Sequence, residues 1–156
     1  QRDTVRGIEL FRELASEGDP KAQMNLAIAL RAGLGIEKDS VTALEFFKKA
    51  AEHDLLEAQY QVGVCYMVGE GVAANLPMAL EWLEKAAKRG YRQAQFCVGL
   101  LYFSTDNSKM DTSKAVYYWE LASRQGDMTA KSHLAGCLFH GFGVNKDVER
   151  AFSLVS

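Results

Sequence analysis

The sequence predicts an all-α protein built from antiparallel helix pairs. The first observation is a constant repeat length: the Ala-Gln pair at residues 22–23 recurs at 58–59 and 94–95 (58 − 22 = 36; 94 − 58 = 36). The second is that each repeat holds two stretches with apolar residues spaced i, i+3, i+4 and i+7, as on one face of a helix. The third is the placement of capping residues and glycines between these stretches. Self-similarity at a fixed period is typical of repeat architectures.

Two helices are expected in every repeat. In the first, which we call helix A, small residues form one column at the repeat spacing: Ala27, Gly63, Gly99 and Ala135. In the second, helix B, an alanine column opens the apolar face: Ala43, Ala79, Ala115 and Ala151. The spacing predicts helix A at about 22–32, 58–68, 94–104 and 130–140. It predicts helix B at about 40–53, 76–89, 112–125 and from 148 onward.

The joints between the helices carry matching chemistry. Each B helix is preceded by a short side chain that can accept a hydrogen bond from an unpaired N–H group of the first helical turn. These residues are Asp39, Asn75, Asp111 and Asp147. Residues suited to a positive φ follow the B helices: Gly18, Asp54, Gly90 and Gly126. A Gly-x-Gly segment joins helix A to helix B in the first, second and fourth repeats. Because each segment follows a helix and not a strand, we interpret it as a chain reversal and not as a phosphate-binding loop.

Composition excludes several classes of protein. The 156 residues are 48% hydrophobic and 24% charged, with 18 Lys+Arg against 20 Asp+Glu, which is typical of a globular chain. The near-neutral balance offers no excess positive charge for nucleic acid, and no apolar run approaches the ~20 residues needed to span a bilayer. An odd number of cysteines without close spacing favours the cytoplasm or another reducing compartment. Since the chain begins with Gln1, we expect a piece of a longer protein, from which a targeting segment can be missing.

Helix A and the loop after it share the pattern A-x3-[LV]-[GA]-x2-[YL]-x2-G-x-G-[VI]. An acidic or amide cap and a helix with the pattern A-[LV]-x2-[FWL]-x2-A-A follow it. Together these patterns resemble the Sel-1-like repeat. The resemblance covers essentially the whole chain and implies a right-handed α-solenoid of antiparallel helix pairs, related to the tetratricopeptide repeat. We predict one array over 1–156, in which 1–21 is the last helix of a preceding repeat. The repeats are then 22–57, 58–93, 94–129 and a truncated 130–156. The third repeat has Thr105 and Asn107 in place of the loop glycines, so we expect a reshaped loop there.

An ordinary amphipathic helix has one apolar stripe, whereas the A helices carry a second one. In the related tetratricopeptide architecture this stripe faces the concave surface, so the resemblance implies a partner-binding groove with His140 at its rim. The candidate binding residues are Met24, Ile28, Arg31, Tyr60, Val64, Met67, Phe96, Leu100, Phe103 and Phe139. The alternative is that neighbouring A helices bury these side chains against one another, as stacking of repeats requires.

No constellation in the sequence predicts catalysis or a cofactor. His133, Cys137 and His140 share one face of the fourth A helix and could converge on zinc or copper. Cys137, however, falls in a small-residue packing column with Ala29 and Cys65, and no fourth ligand is evident nearby. We therefore predict no metal, no cofactor and no catalytic residue.

The sequence favours a non-enzymatic adaptor or scaffold that binds a protein or peptide segment. One alternative is an assembly segment that mediates self-association of a larger protein through its repeat ends. Another, implied by the resemblance, is a secreted repeat hydrolase. Hydrolases of that kind carry a cysteine pair in each repeat, whereas Cys65 and Cys137 lie two repeats apart and Cys97 falls in a different column.

Overall fold

The computed structural model describes residues 2–104 and 111–156, and in those ranges every regular element is an α-helix. The helices are α1 (Arg2–Ser16), α2 (Pro20–Ala32), α3 (Ser40–Glu52), α4 (Leu56–Val68), α5 (Leu76–Lys88), α6 (Arg92–Phe103), α7 (Thr112–Arg124), α8 (Met128–His140) and α9 (Val148–Val155). The A helices are α2, α4, α6 and α8, and the odd-numbered helices are B helices. The predicted all-α fold class is therefore confirmed.

The chain divides into two compact units, and the division falls inside α5. The N-terminal unit ends at Trp82, and the C-terminal unit begins at Leu83. In the N-terminal unit α1 packs on α2, α2 on α3 and α3 on α4. In the C-terminal unit α6 packs on α7, α7 on α8 and α8 on α9. From α1 to α4 and from α6 to α9, each helix thus packs against its neighbour in sequence, as the amphipathic pattern predicts.

Each unit has an apolar core made by facing A and B helices. In the N-terminal unit Phe47 is fully buried, and the surrounding core includes Leu26, Ala27 and Val62. In the C-terminal unit the largest fully buried side chains are Trp119, Leu134, Leu138, Leu83 and Val98. Burial of apolar area at about 25 cal/mol per Å² is the dominant favourable contribution to such helix pairs.

The predicted N-caps of the B helices are confirmed. Each cap side chain accepts a hydrogen bond from the backbone N–H three residues later: Asp39 from Thr42, Asn75 from Met78, Asp111 from Lys114 and Asp147 from Arg150. Asp39 also accepts a hydrogen bond from the Thr42 hydroxyl, and these bonds lower the pKa of the Asp39 carboxyl below its usual value.

The A helices begin earlier than the apolar pattern predicts. α2 starts at Pro20 because Asp19 caps it, and α8 starts at Met128 because Asp127 caps it. The Asp19 and Asp127 carboxylates accept from backbone N–H groups at 2.6 Å and 2.8 Å. The apolar pattern starts each A helix at the alanine of the repeat, so Asp19 and Asp127 were not predicted as caps.

The second glycine of each described Gly-x-Gly segment has a positive φ, and at two of them the backbone of another repeat leaves no room for a side chain. A Cβ on Gly71 (φ 73°) would overlap the carbonyl of Ser40, and a Cβ on Gly143 (φ 67°) would overlap that of Thr112. The loop of one repeat therefore rests on the start of the preceding B helix, and only glycine satisfies both requirements. Thr105 and Asn107, the expected reshaped loop of the third repeat, lie outside the described residues.

Candidate binding surface

The residues of the second A-helix stripe differ in exposure. Met24 is only 3% exposed and belongs to the core of the N-terminal unit, so it does not line an open surface, contrary to our expectation. Phe139 is 41% exposed. The remaining candidates are half-buried: Ile28, Arg31, Tyr60, Val64, Met67, Phe96, Leu100 and Phe103. The stripe is therefore a partly covered surface.

In the N-terminal unit, Arg31 links three helices. Its guanidinium lies 5.3 Å from the centre of the Phe47 ring on α3, and its Nη1 donates to Gln61 Oε1 on α4 at 2.6 Å. A guanidinium that is both stacked and hydrogen-bonded is held in one orientation. Packing between neighbouring repeats therefore uses part of the stripe, which is the alternative that the sequence left open.

In the C-terminal unit, aromatic rings form the interior part of this surface. Trp119, from α7, lies 4.8 Å from His133 and 5.3 Å from Phe103, measured between ring centres. Phe96 meets His133 edge-on at 5.5 Å. The indole Nε1 of Trp119 donates to the Phe96 carbonyl at 3.3 Å, which satisfies the one polar atom of this buried side chain.

The ring contacts continue outward to exposed side chains. Phe103 lies 6.4 Å from Phe142, and His140 stacks on Phe142 at 5.3 Å. Phe139 contacts His140 at 5.1 Å and Phe152 of α9 at 6.1 Å. We call this connected set the aromatic row: Phe96, Phe103, Trp119, His133, Phe139, His140, Phe142 and Phe152. Its inner end is the buried Trp119, and at its outer end Phe142 and Phe152 are 51% and 59% exposed.

With this geometry established, the comparisons with known proteins identify the family. The Sel1 repeat model matches the chain over residues 1–19, 20–55, 56–91, 93–127 and 130–155. The chain belongs to the Sel1 repeat family. Proteins built from Sel1 repeats are generally protein–protein interaction scaffolds and typically non-catalytic. No curated protein matches the chain.

Solved structures of Sel1 repeat proteins share the fold. A Sel1 repeat protein from Oxalobacter formigenes is 32% identical, with a TM-score of 0.88, and the match covers 94% of this chain and 60% of that one. The protective antigen c5321 of uropathogenic Escherichia coli, which displays the same repeat fold, is 27% identical, with a TM-score of 0.92 over 94% of this chain and 32% of that one. The chain thus spans less than two thirds of either relative, and both likenesses support an α-solenoid of helical repeats.

Sequence reasoning missed several members of the aromatic row. Phe142 lies between the two glycines of the fourth Sel1 repeat loop, where Leu34 and Glu70 stand in the first two repeats, so column matching gave it no role. Trp119 was assigned only to a packing column. The structure shows that Trp119 also supports the exposed rings. The available signal was the concentration of aromatic residues in the last two Sel1 repeats.

His133, Cys137 and His140 are the residues of the fourth A helix for which the sequence leaves a metal conceivable. In the described ranges, no group of three or more His, Cys, Asp or Glu residues is placed to hold a metal ion. His133 Nδ1 lies 2.9 Å from the Thr129 carbonyl, and Cys137 is only 2% exposed. Burial raises the pKa of the Cys65 and Cys137 thiols, so both are protonated and are poor nucleophiles at neutral pH. No helix among the described residues is both long and apolar enough to cross a membrane.

Proposed function

We propose that this Sel1 repeat array is a non-enzymatic interaction module, and that the aromatic row of its C-terminal unit binds a segment of a partner protein. The observation that carries the proposal is the outer end of the row. There Phe139, Phe142 and Phe152 are exposed while their rings contact one another or His140. Exposed aromatic rings held in place by neighbours lose little side-chain entropy on binding, and such rings are enriched among interface hot spots.

The chemistry of the surface defines the partner segment. The rings favour an apolar or aromatic anchor that packs against Phe142 and Phe139. Lys146 Nζ lies 5.8 Å from the Phe139 ring centre, so an acidic residue beside the anchor would meet a cation at the edge of the site. A helical segment or an extended segment satisfies these requirements equally. In the N-terminal unit, the half-buried Tyr60, Val64 and Met67 offer a second apolar surface on α4.

Selection from a random peptide display library on the 156-residue chain tests the proposal. We expect the recovered peptides to share an aromatic or aliphatic anchor with an acidic neighbour. Their affinity should fall by roughly tenfold or more in Phe139→Ala and in Phe142→Ala, because truncating a hot-spot side chain costs ~2 kcal/mol or more. Tyr117→Ala is the matched control, since Tyr117 is a 57% exposed aromatic residue of the same unit that lies on α7 outside the row. Equal binding by the row variants and by wild type would show that the segment binds elsewhere.

Self-association is a second candidate, supported by exposed apolar residues on the first and last helices. Val5 and Leu10 of α1 are 47% and 53% exposed, and Val155 of α9 is 55% exposed. We propose that these faces meet second copies of the chain if the module also serves assembly. Sedimentation velocity across a range of concentrations tests this candidate, with Leu10→Glu and Val155→Glu expected to abolish any dimer. A wild-type chain that stays monomeric at every concentration contradicts it and leaves the peptide-binding proposal unaffected.

The buried cysteines support placement in a reducing compartment. Cys65, Cys97 and Cys137 are buried, and none of them forms a disulfide bond. We propose on this ground that the array works in a reducing environment such as the cytoplasm, because structural disulfides are the usual device of small secreted repeats. Acid quenching of intact cells, followed by denaturation and labelling with a maleimide, tests this placement. All three thiols should label, and a thiol protected by a disulfide would contradict it.

A further inference from the structure

An open cavity of about 530 Å³ lies among α1, α2 and α3 of the N-terminal unit. Leu26 and Leu30 of α2 and Phe46 of α3 form its apolar wall, and Arg12 and Lys49 are the cations that line it. The volume falls within the range of small-molecule sites, ~300–1,000 Å³. This cavity lies on the B-helix side of the unit and contains none of the residues assigned to partner binding.

The same cleft in the second repeat is filled by the protein itself. At the repeat spacing of 36 residues, Tyr66 replaces Leu30, Trp82 replaces Phe46 and Lys48 replaces Arg12. Lys48 Nζ lies 5.2 Å from the centre of the Tyr66 ring. An aromatic ring therefore occupies the cleft, and a cation from the preceding B helix lies over its face.

The third repeat, in the C-terminal unit, fills its cleft in a related way. Tyr102 occupies the Leu30 position and stacks on Tyr118, which occupies the Phe46 position, with ring centres 6.2 Å apart and planes at 8°. The Tyr102 hydroxyl donates to Glu84 Oε1 at 2.7 Å. Glu84 stands where the first repeat has Arg12. In both repeats two rings and a charged group complete the cleft, whereas the first repeat has the charged group and only one of the two rings, Phe46.

We propose that the cavity binds a small aromatic carboxylate. Its ring takes the place of the tyrosine ring of the second and third repeats and packs against Phe46. Its carboxylate meets Arg12 and Lys49, whose charge is opposite to that of Glu84 in the filled third repeat.

Titration calorimetry of the 156-residue chain with indole-3-acetate tests the site, because this probe has an aromatic ring and a carboxylate. We expect saturable binding at one site, and binding about tenfold weaker for the neutral indole-3-acetamide, as loss of a charge-assisted hydrogen bond predicts. Arg12→Gln should weaken indole-3-acetate binding by a similar factor. Arg6→Gln, an exposed position of the same helix that does not line the cavity, is the matched control and should bind as wild type does.

Leu30→Tyr is the decisive variant, because it restores the ring that the second and third repeats carry. We expect it to abolish binding while keeping or raising the melting temperature, since it fills a cavity with a side chain that the fold already accepts at this position. Should Leu30→Tyr melt below wild type, Phe46→Trp, which copies the second repeat at Trp82, tests the same occlusion. If indole-3-acetate gives no binding heat at concentrations up to the millimolar range, the proposal is overturned. Unchanged binding in the occluding variants overturns it as well.

Discussion

Gly99 of α6 lies against the indole ring of Trp119, with no room for a methyl group between them. The indole Nε1 donates to the carbonyl of Phe96, on the same helix as Gly99, so the ring cannot retreat without losing that hydrogen bond. Helix A and helix B of the third repeat therefore approach at a distance that only glycine permits. This contact explains why the small-residue column has glycine at residue 99, where Ala27 and Ala135 carry a methyl group.

The first prediction is that Gly99→Ala destabilises the protein. The added methyl group would overlap Trp119 Nε1 and Cδ1, and overpacking of a core typically costs ~1–3 kcal/mol. The loss exceeds the ~0.5–1 kcal/mol that alanine gains over glycine inside a helix. Chemical denaturation followed by circular dichroism measures the free energy of unfolding.

Gly136→Ala is the matched control for this prediction. Gly136 also lies in the middle of an A helix, α8, and a Cβ there meets no atom within 4 Å. We expect it to be neutral or slightly stabilising, because only the helix propensity changes. Equal effects at the two glycines would contradict the close approach of Gly99 to Trp119.

The fold was predictable because local signals agree with one another in every repeat. The apolar spacing, the cap at Asp39 and its equivalents, and the positive-φ residues each indicate the same helix boundaries. The starts of the A helices were misplaced by two residues because the N-cap positions of α4 and α6 hold Leu55 and Tyr91, which make no side-chain cap hydrogen bond. No common residue type therefore marks that joint.

The surface was less predictable because exposure depends on which neighbour covers a side chain. Met24 and Phe96 occupy the same column, yet Met24 is buried in the core while Phe96 is half-buried against His133. The cavity of the first repeat could likewise not be predicted from the aligned columns. The pattern accepts leucine or tyrosine at the position of Leu30, and only the packing shows that the cleft of the first repeat stays open.

A second prediction concerns the cap that the sequence analysis missed. Asp127→Ala should cost about 1 kcal/mol, because the Ala130 N–H loses its acceptor in the first turn of α8. Asp127→Asn keeps an acceptor of the same size and should lose less. Thermal and denaturant unfolding of the two variants provide the measurement. If the alanine and asparagine variants are equally stable, the hydrogen bond to Ala130 does not cap the helix.

The third prediction is a loss of stability at high pH. Burial and the neighbouring Glu84 carboxylate raise the pKa of Tyr102 well above its usual 10, and they raise that of Tyr118 to about 12. The folded state therefore favours the neutral phenols. Their contribution is fully present below pH 10, where both states are protonated, and it is lost as the pH rises toward and through the folded-state values.

Denaturation midpoints measured between pH 9 and pH 12 test this dependence. The wild type should lose stability steadily over that window, and Tyr102→Phe should show a shallower decline, because one titrating phenol has been removed. Tyr117→Phe is the control, since this exposed neighbour makes no hydrogen bond to Glu84 and affects Tyr118 less than Glu84 does. Its decline should stay closer to the wild type than that of Tyr102→Phe. Parallel curves for wild type and Tyr102→Phe would show that the Tyr102 phenol does not contribute to the pH dependence.

The final prediction separates stability from binding at Phe103. This side chain is half-buried, and its ring centre lies 5.3 Å from that of the buried Trp119 and 6.4 Å from that of the exposed Phe142. Phe103→Ala therefore removes part of a packed ring and part of a surface. We expect a loss of ~1–2 kcal/mol in unfolding free energy, below the ~3–5 kcal/mol typical of a fully buried phenylalanine. Phe47→Ala, at a fully buried position of the N-terminal unit, provides that upper reference.

Affinity for the peptides selected on the aromatic row should fall by roughly tenfold or more in Phe103→Ala, because Phe142 loses a supporting ring. A loss of stability as large as that of Phe47→Ala would show that Phe103 is core and would remove it from the binding surface. A mild loss of stability combined with unchanged peptide affinity would confine the site to Phe139, His140 and Phe142.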